Sequence, residues 1–410
     1  MNGQNGNGHD TTIGQGRIAV ITGGTAGIGR ATANLLARKG FQLALIARGE
    51  EGLEKAKREL SPHTRVETYQ CDVADNEKVQ ETADAIARDM GGIDVWVNNA
   101  MLTVIAPFER VKAEDFDQVF DATFKGYVHG MRAALRHMPM RGQIVNVSSA
   151  LAYRSVPLQS AYCAAKAAVN GLTASVRSEM IHEGRDVALS LITLPGLNTP
   201  QFDWSKNEMP QKQRPAPPVF DPSTAAEGVL KAIRERSREV IVSRVALGLT
   251  MAQMAIPDAL DHKLAKDGYD GQQEDGVPAG AVLAENNIYE PIDEEKYYGA
   301  RGSFSDEAEQ SAMTVDGDAA RYSIFGAGAL LATGLGILIG AAAGRNKAHR
   351  EIEADQRDYD HRERIARENG LRDHAEELRY DQPVLADSSM TGSRSETRTD
   401  LAVQGSRERA

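Results

Sequence analysis

Arg17-Ile-Ala-Val-Ile-Thr22 runs directly into Gly23-Gly-Thr-Ala-Gly27-Ile-Gly29, and a helical pattern from Arg30 to Lys39 follows. The first six residues read as a buried strand, and the glycines as a tight turn into a helix. Strand, glycine turn and helix in that order form the setting of a dinucleotide fingerprint. Glycine lets the backbone approach a pyrophosphate, and the helix N-terminus favours its negative charge. Outward from this stretch, strands are expected near 18–22, 42–47, 66–71, 93–97, 143–147, 187–193 and 239–242. Helices are expected near 27–39, 50–60, 75–90, 115–138, 160–182 and 223–236. Such alternation predicts an α/β fold of the Rossmann type, a doubly wound parallel sheet of seven strands with helices on both faces.

Further along lies Ser160-Ala-Tyr162-Cys-Ala-Ala-Lys166. One helical turn puts Tyr162 and Lys166 on one face. A phenol ordinarily titrates near 10, and a neighbouring ammonium lowers that value, so the pair can serve as a general acid/base. Tyr–Lys pairs at this spacing are more often a solvated face. Here Ser149 precedes the pair, at the end of the strand-like run Gln143-Ile-Val-Asn-Val-Ser-Ser149. The C-terminal edge of such a strand is where open α/β sheets hold ligands.

Together these residues resemble the short-chain dehydrogenase/reductase family over roughly 17–245. The ordered motifs are Gly23-x-x-x-Gly27-x-Gly29, Asp72-Val73, Asn98-Asn99-Ala100, Ser149, Tyr162, Lys166, and Pro195-Gly196 with Thr199. The resemblance implies Tyr162, Lys166 and Ser149 as catalytic residues, and the strand order 3-2-1-4-5-6-7. It also implies a cofactor site of Gly23, Thr25, Gly27, Ile28, Gly29, Arg48, Asp72, Val73, Asn99, Lys166, Pro195 and Thr199. Asn98 is expected to bridge strands. The sequence departs from the family twice. Met101 stands where the family has glycine after Asn-Asn-Ala, and Thr123 stands where many members carry a catalytic Asn that holds a relay water. A Thr hydroxyl both donates and accepts, so it can hold a water too.

Cofactor choice is read at Ala44-Leu-Ile-Ala47-Arg48. With no acid there and Arg48 free to pair with a 2′-phosphate, NADP is expected over NAD. The expected activity is hydride transfer between NADP(H) and a small carbonyl or secondary alcohol. The alternative is a cofactor-binding scaffold or sensor with little turnover. An epimerase or dehydratase on the same fold has no specific support.

The 410 residues exceed one such domain, and a net charge of −11 gives nucleic acid no electrostatic support. The two cysteines, Cys71 and Cys163, and the helical His129, His137 and His182 have no metal-ligand spacing. Residues 1–16 read as a disordered tail, 246–321 as an acidic linker, 345–380 as a charged helix and 381–410 as a disordered tail. The proline-rich stretch 197–222 reads as a lid, with Phe202 and Trp204 as walls of a lipophilic pocket. Residues 322–344 carry no charge and are long enough to span a bilayer. They read as a membrane-associated or transmembrane helix, although Arg345, Lys347 and Arg350 beyond it would put the catalytic domain on the side without cofactor. A cytoplasmic catalytic domain is expected, and a homo-oligomer through the helices near 115–138 and 160–182.

Overall fold

The structure, a computed structural model, describes residues 13–138, 140–279, 285–324 and 326, with six helical residues between 354 and 364. Seven parallel strands form the sheet: β1 (Ile18–Thr22), β2 (Gln42–Ala47), β3 (Val66–Gln70), β4 (Val95–Asn98), β5 (Arg141–Val147), β6 (Asp186–Thr193) and β7 (Glu239–Val242). An eighth strand, β8 (Thr314–Asp316), pairs antiparallel with β7, so the sheet order is β8-β7-β6-β5-β4-β1-β2-β3. The order departs from the expected seven strands by this added edge.

The central strands β1 and β4 are buried along their whole length. Both faces of a parallel sheet are covered by helices, so such strands are apolar throughout rather than alternating. On one face α1 (Gly27–Arg38), α2 (Glu50–Leu60) and α7 (Pro222–Glu235) enclose Ile21, Leu36, Leu43, Val97 and Val229. On the other, α3 (Asn76–Met90), α5 (Gly126–His137) and α6 (Ser160–His182) enclose Val20, Ile86, Trp96, Met131 and Ile144. The helix expected over 115–138 is interrupted. α4 (Ala113–Phe120) passes through a π-turn at Asp121–Lys125 before α5 begins, and Thr123 lies in that turn.

The described residues of 246–321, a stretch expected as a linker, are folded onto this sheet. After β7 come α8 (Arg244–Ala255) and α9 (Pro257–Lys263). Gln273–Pro278 pairs with Gln211–Gln213, and Ile288, Ile292, Tyr298, Phe304 and Ala308 are buried. The acidic composition misled because its charges are matched across the domain. Arg58 pairs with Glu295 at 2.8 Å, Arg214 with Glu307 at 2.6 Å, and Arg301 with Asp221 at 2.5 Å. Arg321 holds the buried Glu239, which also accepts from Tyr153 and Thr193 at 2.7 Å each. Residues 13–16 likewise belong to the fold, with Ile13 against the core and Gly14 N–H donating to Lys39.

Residues 1–12 and 381–410 of the expected tails lie outside the described residues. Of 322–344, only Tyr322–Ile324 and Gly326 are described, and of 345–380 only the exposed helical Ala354, Arg357, Asp358, Asp360, His361 and Arg364. Among the described residues, no helix is long and apolar enough to cross a membrane.

Candidate active site

The turn between β1 and α1 is shaped for close approach. Gly23 and Gly27 have φ of +65° and +54°, the left-handed region that glycine occupies without strain. A Cβ on Gly29 would lie 2.1 Å from the Gly23 carbonyl oxygen, so only glycine fits there. Asn99 fixes the turn from the end of β4, donating from Nδ2 to the carbonyls of Thr22 (2.9 Å) and Gly23 (3.2 Å).

A cavity opens over this turn, enclosing about 1070 Å³ with its open mouth included. Gly23, Thr25, Gly27, Ile28, Arg48, Asp72, Val73, Asn99 and Thr199 all line it. Its glycine floor, the amides at the start of α1 and its length from β3 to Thr199 suit a dinucleotide. Pro195 stands half-buried at the exit of β6. Met101 lines the cavity with ordinary backbone, since Leu158, Arg236 and Ser243 are the non-glycine residues with positive φ. Its position therefore needs no glycine. Asn98 is spent inside the sheet, accepting from Trp96 Nε1 (2.7 Å) and donating to Asn146 (2.8 Å).

Ser149 and Tyr162 lie close together. Ser149 ends the run that follows β5, its hydroxyl accepts from Leu151 N at 3.1 Å, and it stands near enough to the Tyr162 phenol to influence its titration. Burial pushes the Tyr162 phenol above its ordinary value, and the nearby Ser149 hydroxyl pulls it part of the way back. Lys166 is not the group that lowers it. Its ammonium nitrogen donates to Tyr127 Oη at 2.8 Å and to the Val147 carbonyl at 2.7 Å, and stands 5.7 Å from the Tyr162 ring centre. Burial brings the Lys166 amine down to about 7. An amine that carries only part of a charge near neutral pH, and points its protons at other partners, exerts little pull on a phenol.

Sequence reading missed Tyr127, which lies one turn after Thr123 and is buried against Lys166. Thr123 differs from its expected use. Its hydroxyl accepts from Leu102 N at 3.0 Å and donates to Leu102 O at 3.1 Å, so it fastens a cavity-lining residue. Ser148 donates to Asn170 at 2.6 Å, a structural contact.

Of the two aromatic walls expected from 197–222, Trp204 lines the cavity and Phe202 does not. Phe202 packs edge-on against Phe304 at 6.5 Å, beside Val219 and Ala308. Trp204 meets Tyr298 at 6.2 Å. Tyr298 belongs to a strap, residues 287–299, that closes the cavity through Asn287, Pro291, Ile292 and Tyr298. The strap also takes Arg48. One guanidinium nitrogen donates to the Asn287 carbonyl at 2.6 Å and another to that of Tyr289 at 3.0 Å. Gly27 N–H donates to Gly299 O at 2.9 Å. Cys71 and Cys163 are buried thiols, with Cys71 pushed up to about 11 by burial. Among the described residues no group of side chains could hold a metal ion.

Comparison with known proteins agrees with this geometry. Residues 17–210 match the family model described as short chain dehydrogenase. The oxidoreductase YxnA of Bacillus subtilis is 31% identical, over 62% of this chain and 73% of its own. Levodione reductase of Leifsonia aquatica is 34% identical, over 50% and 78%. A crystal structure of a short chain dehydrogenase/reductase from Burkholderia phymatum in complex with NAD shares the fold. Its TM-score is 0.53 at 24% identity, over 63% of this chain and 98% of its own. The motif order, the sheet and these relatives together establish that the chain belongs to the short-chain dehydrogenase family of oxidoreductases.

Proposed function

We propose that the chain interconverts a small carbonyl compound and its secondary alcohol, with a nicotinamide dinucleotide as cofactor. The observation that carries this reading is the approach of Ser149 to the Tyr162 phenol in a chain whose β1–α1 turn gives a cavity its glycine floor. Relatives named levodione reductase and L-2,3-butanediol dehydrogenase (33% identical over 69% of its own chain) agree with it. Gly23, Thr25, Gly27, Ile28, Asp72, Val73, Asn99, Pro195 and Thr199 would hold the dinucleotide, which when bound supplies or accepts the hydride. Tyr162 hands a proton to the substrate oxygen or takes one from it. Ser149 orients that oxygen and stabilises the charge that develops on it. Lys166 sits behind Tyr162 with its amine poised near neutrality, held by Tyr127 and Val147, and would also hold the nicotinamide ribose. Thr123 acts by pinning Leu102. Arg48 taken alone favours NADP, as its charge would suit a 2′-phosphate; its two carbonyl partners count against that.

The test is turnover of a panel of diketones and vicinal diols, 2,3-butanediol included, with NADH and NADPH. Activity abolished by Tyr162→Phe supports the reading. A chain that binds either dinucleotide yet turns over nothing favours the scaffold. Homo-oligomerisation through the helices near 115–138 and 160–182 is a separate proposal, tested by light scattering. Attachment of a cytoplasmic enzyme to membranes through 322–344 is another, tested by flotation with vesicles.

A further inference from the structure

The carboxylate of Asp293 is seated on the start of α2. Its Oδ2 accepts from Glu51 N at 3.1 Å and its Oδ1 from Gly52 N at 3.2 Å. A Cβ on Gly49 would lie 2.6 Å from that Oδ1, so the carboxylate rests on the backbone of a residue that lines the cavity beside Arg48. Tyr298 buttresses it, with its hydroxyl beside the carboxylate over Gly49 and its ring against Gly52. Lys55 ties the same turn of strap to α2, donating to the carbonyls of Glu295 (2.9 Å) and Tyr298 (2.8 Å).

This corner, at the end of β2, is where an open α/β fold of this kind receives the ribose of an adenosine. An anion arriving there would look for two things, the N-terminal amides of α2 and the Arg48 guanidinium. Asp293 already holds the amides, and the Asn287 and Tyr289 carbonyls already hold Arg48. A free hydroxyl carries no charge and loses nothing by this arrangement. A phosphate meets a fixed like charge, and must pull Arg48 away from two carbonyls.

We propose that Asp293, 242 positions beyond its partner Glu51, is the residue that determines cofactor specificity, by fixing a negative charge at a corner where β2 ends without an acid. The seated strap thus selects NAD(H), whose ribose keeps its 2′-hydroxyl, over NADP(H). The inference rests on the dinucleotide reading above and reverses the preference that Arg48 alone would give.

The test is energy transfer from tryptophan to the reduced nicotinamide, with Trp204 on the cavity wall as the donor. The full chain is titrated with NADH and NADPH in parallel, as the natural protein and as Asp293→Asn. Asn keeps an oxygen for one of the two α2 amides, and thermal melting checks that the variant folds. The natural chain is expected to bind NADH about tenfold tighter than NADPH, the scale of a like-charge clash at a partly solvated corner. Asp293→Asn should raise NADPH affinity about tenfold and leave NADH within about threefold. Adding Arg48→Ala to that variant should remove the gain. Equal or tighter NADPH binding by the natural chain overturns the inference, as does an unchanged ratio in a folded Asp293→Asn, and both leave the dinucleotide reading intact. Binding of neither by the folded natural chain overturns both.

Discussion

The two ends of the proposed active site are built in opposite ways. At its proposed catalytic end, Ser149, Tyr162 and Lys166, none of which lines the cavity, come from β5's exit and one helix, within 17 residues of one another, and their surroundings are buried core. At its proposed adenosine end, Arg48 and the start of α2 are completed by a strap from 239 to 242 positions away. The first end can be repaired or broken one side chain at a time. The second depends on a segment that must arrive from outside the family's common fold. Chemistry and cofactor choice are therefore expected to respond to separate substitutions.

The largest test of that separation is Tyr162→Phe. It should lower turnover about 10³-fold, the range of a lost general acid, while dinucleotide affinity stays within about twofold. Steady-state rates beside a fluorescence titration measure both, and a parallel loss of affinity would mean that the two ends are not independent.

Next comes Gly29→Ala, which attacks the floor the two ends share. Its Cβ meets the Gly23 carbonyl at 2.1 Å, so the turn must shift. Urea unfolding should show a loss of about 2 kcal/mol, and both dinucleotides should weaken together. A change in only one of them would tie this turn to the strap instead.

Lys166→Met probes the catalytic end through pH. Burial holds the natural amine near 7, whereas in an unfolded chain it titrates near 10.4. Between those values the unfolded chain carries the extra proton, so this residue's contribution to stability rises with pH. The variant should thus melt about 5 °C above the natural chain at pH 7, with the gap closing toward pH 10. Melting curves that stay parallel across that range would show that Lys166 keeps its charge when folded.

The smallest effect belongs to Arg301→Ala, just beyond the strap. Arg301 is half-exposed on the buried Asp221, which caps α7 through Ser223 N at 2.9 Å. About 1 kcal/mol should be lost. Limited proteolysis should cut 285–302 sooner than the sheet melts. Cleavage that waits for global unfolding would make strap and sheet a single cooperative unit.

The same contrast explains what could be read from sequence. All seven parallel strands fell within a few residues of their expected places, because a strand buried on both faces announces itself as an apolar run such as Ile18–Thr22. Ser149, Tyr162 and Lys166 were legible as a motif through the family resemblance, and their side-chain partners were not. Nor was the strap. It holds Arg48 and Gly27 with the carbonyls of Asn287, Tyr289 and Gly299, and a backbone carbonyl is the same in every residue. Its apolar anchors, Ile288, Ile292 and Tyr298, follow neither a helical nor a strand period. Lys166's turn toward Tyr127 was hidden for another reason, since residue spacing gives the face of a helix but not which of two phenols an amine will reach.

The added strand β8 has a consequence for how the protein is made. A ribosome has released every motif of the family once residue 245 is out, yet the sheet then ends at β7 with a row of unpaired amides and carbonyls. Glu239 meanwhile waits for Arg321. An open strand edge recruits other chains. Between the synthesis of residue 245 and that of residue 321, the nascent protein is a candidate for chaperone capture, and a gene truncated in that interval should yield inclusion bodies rather than a smaller enzyme.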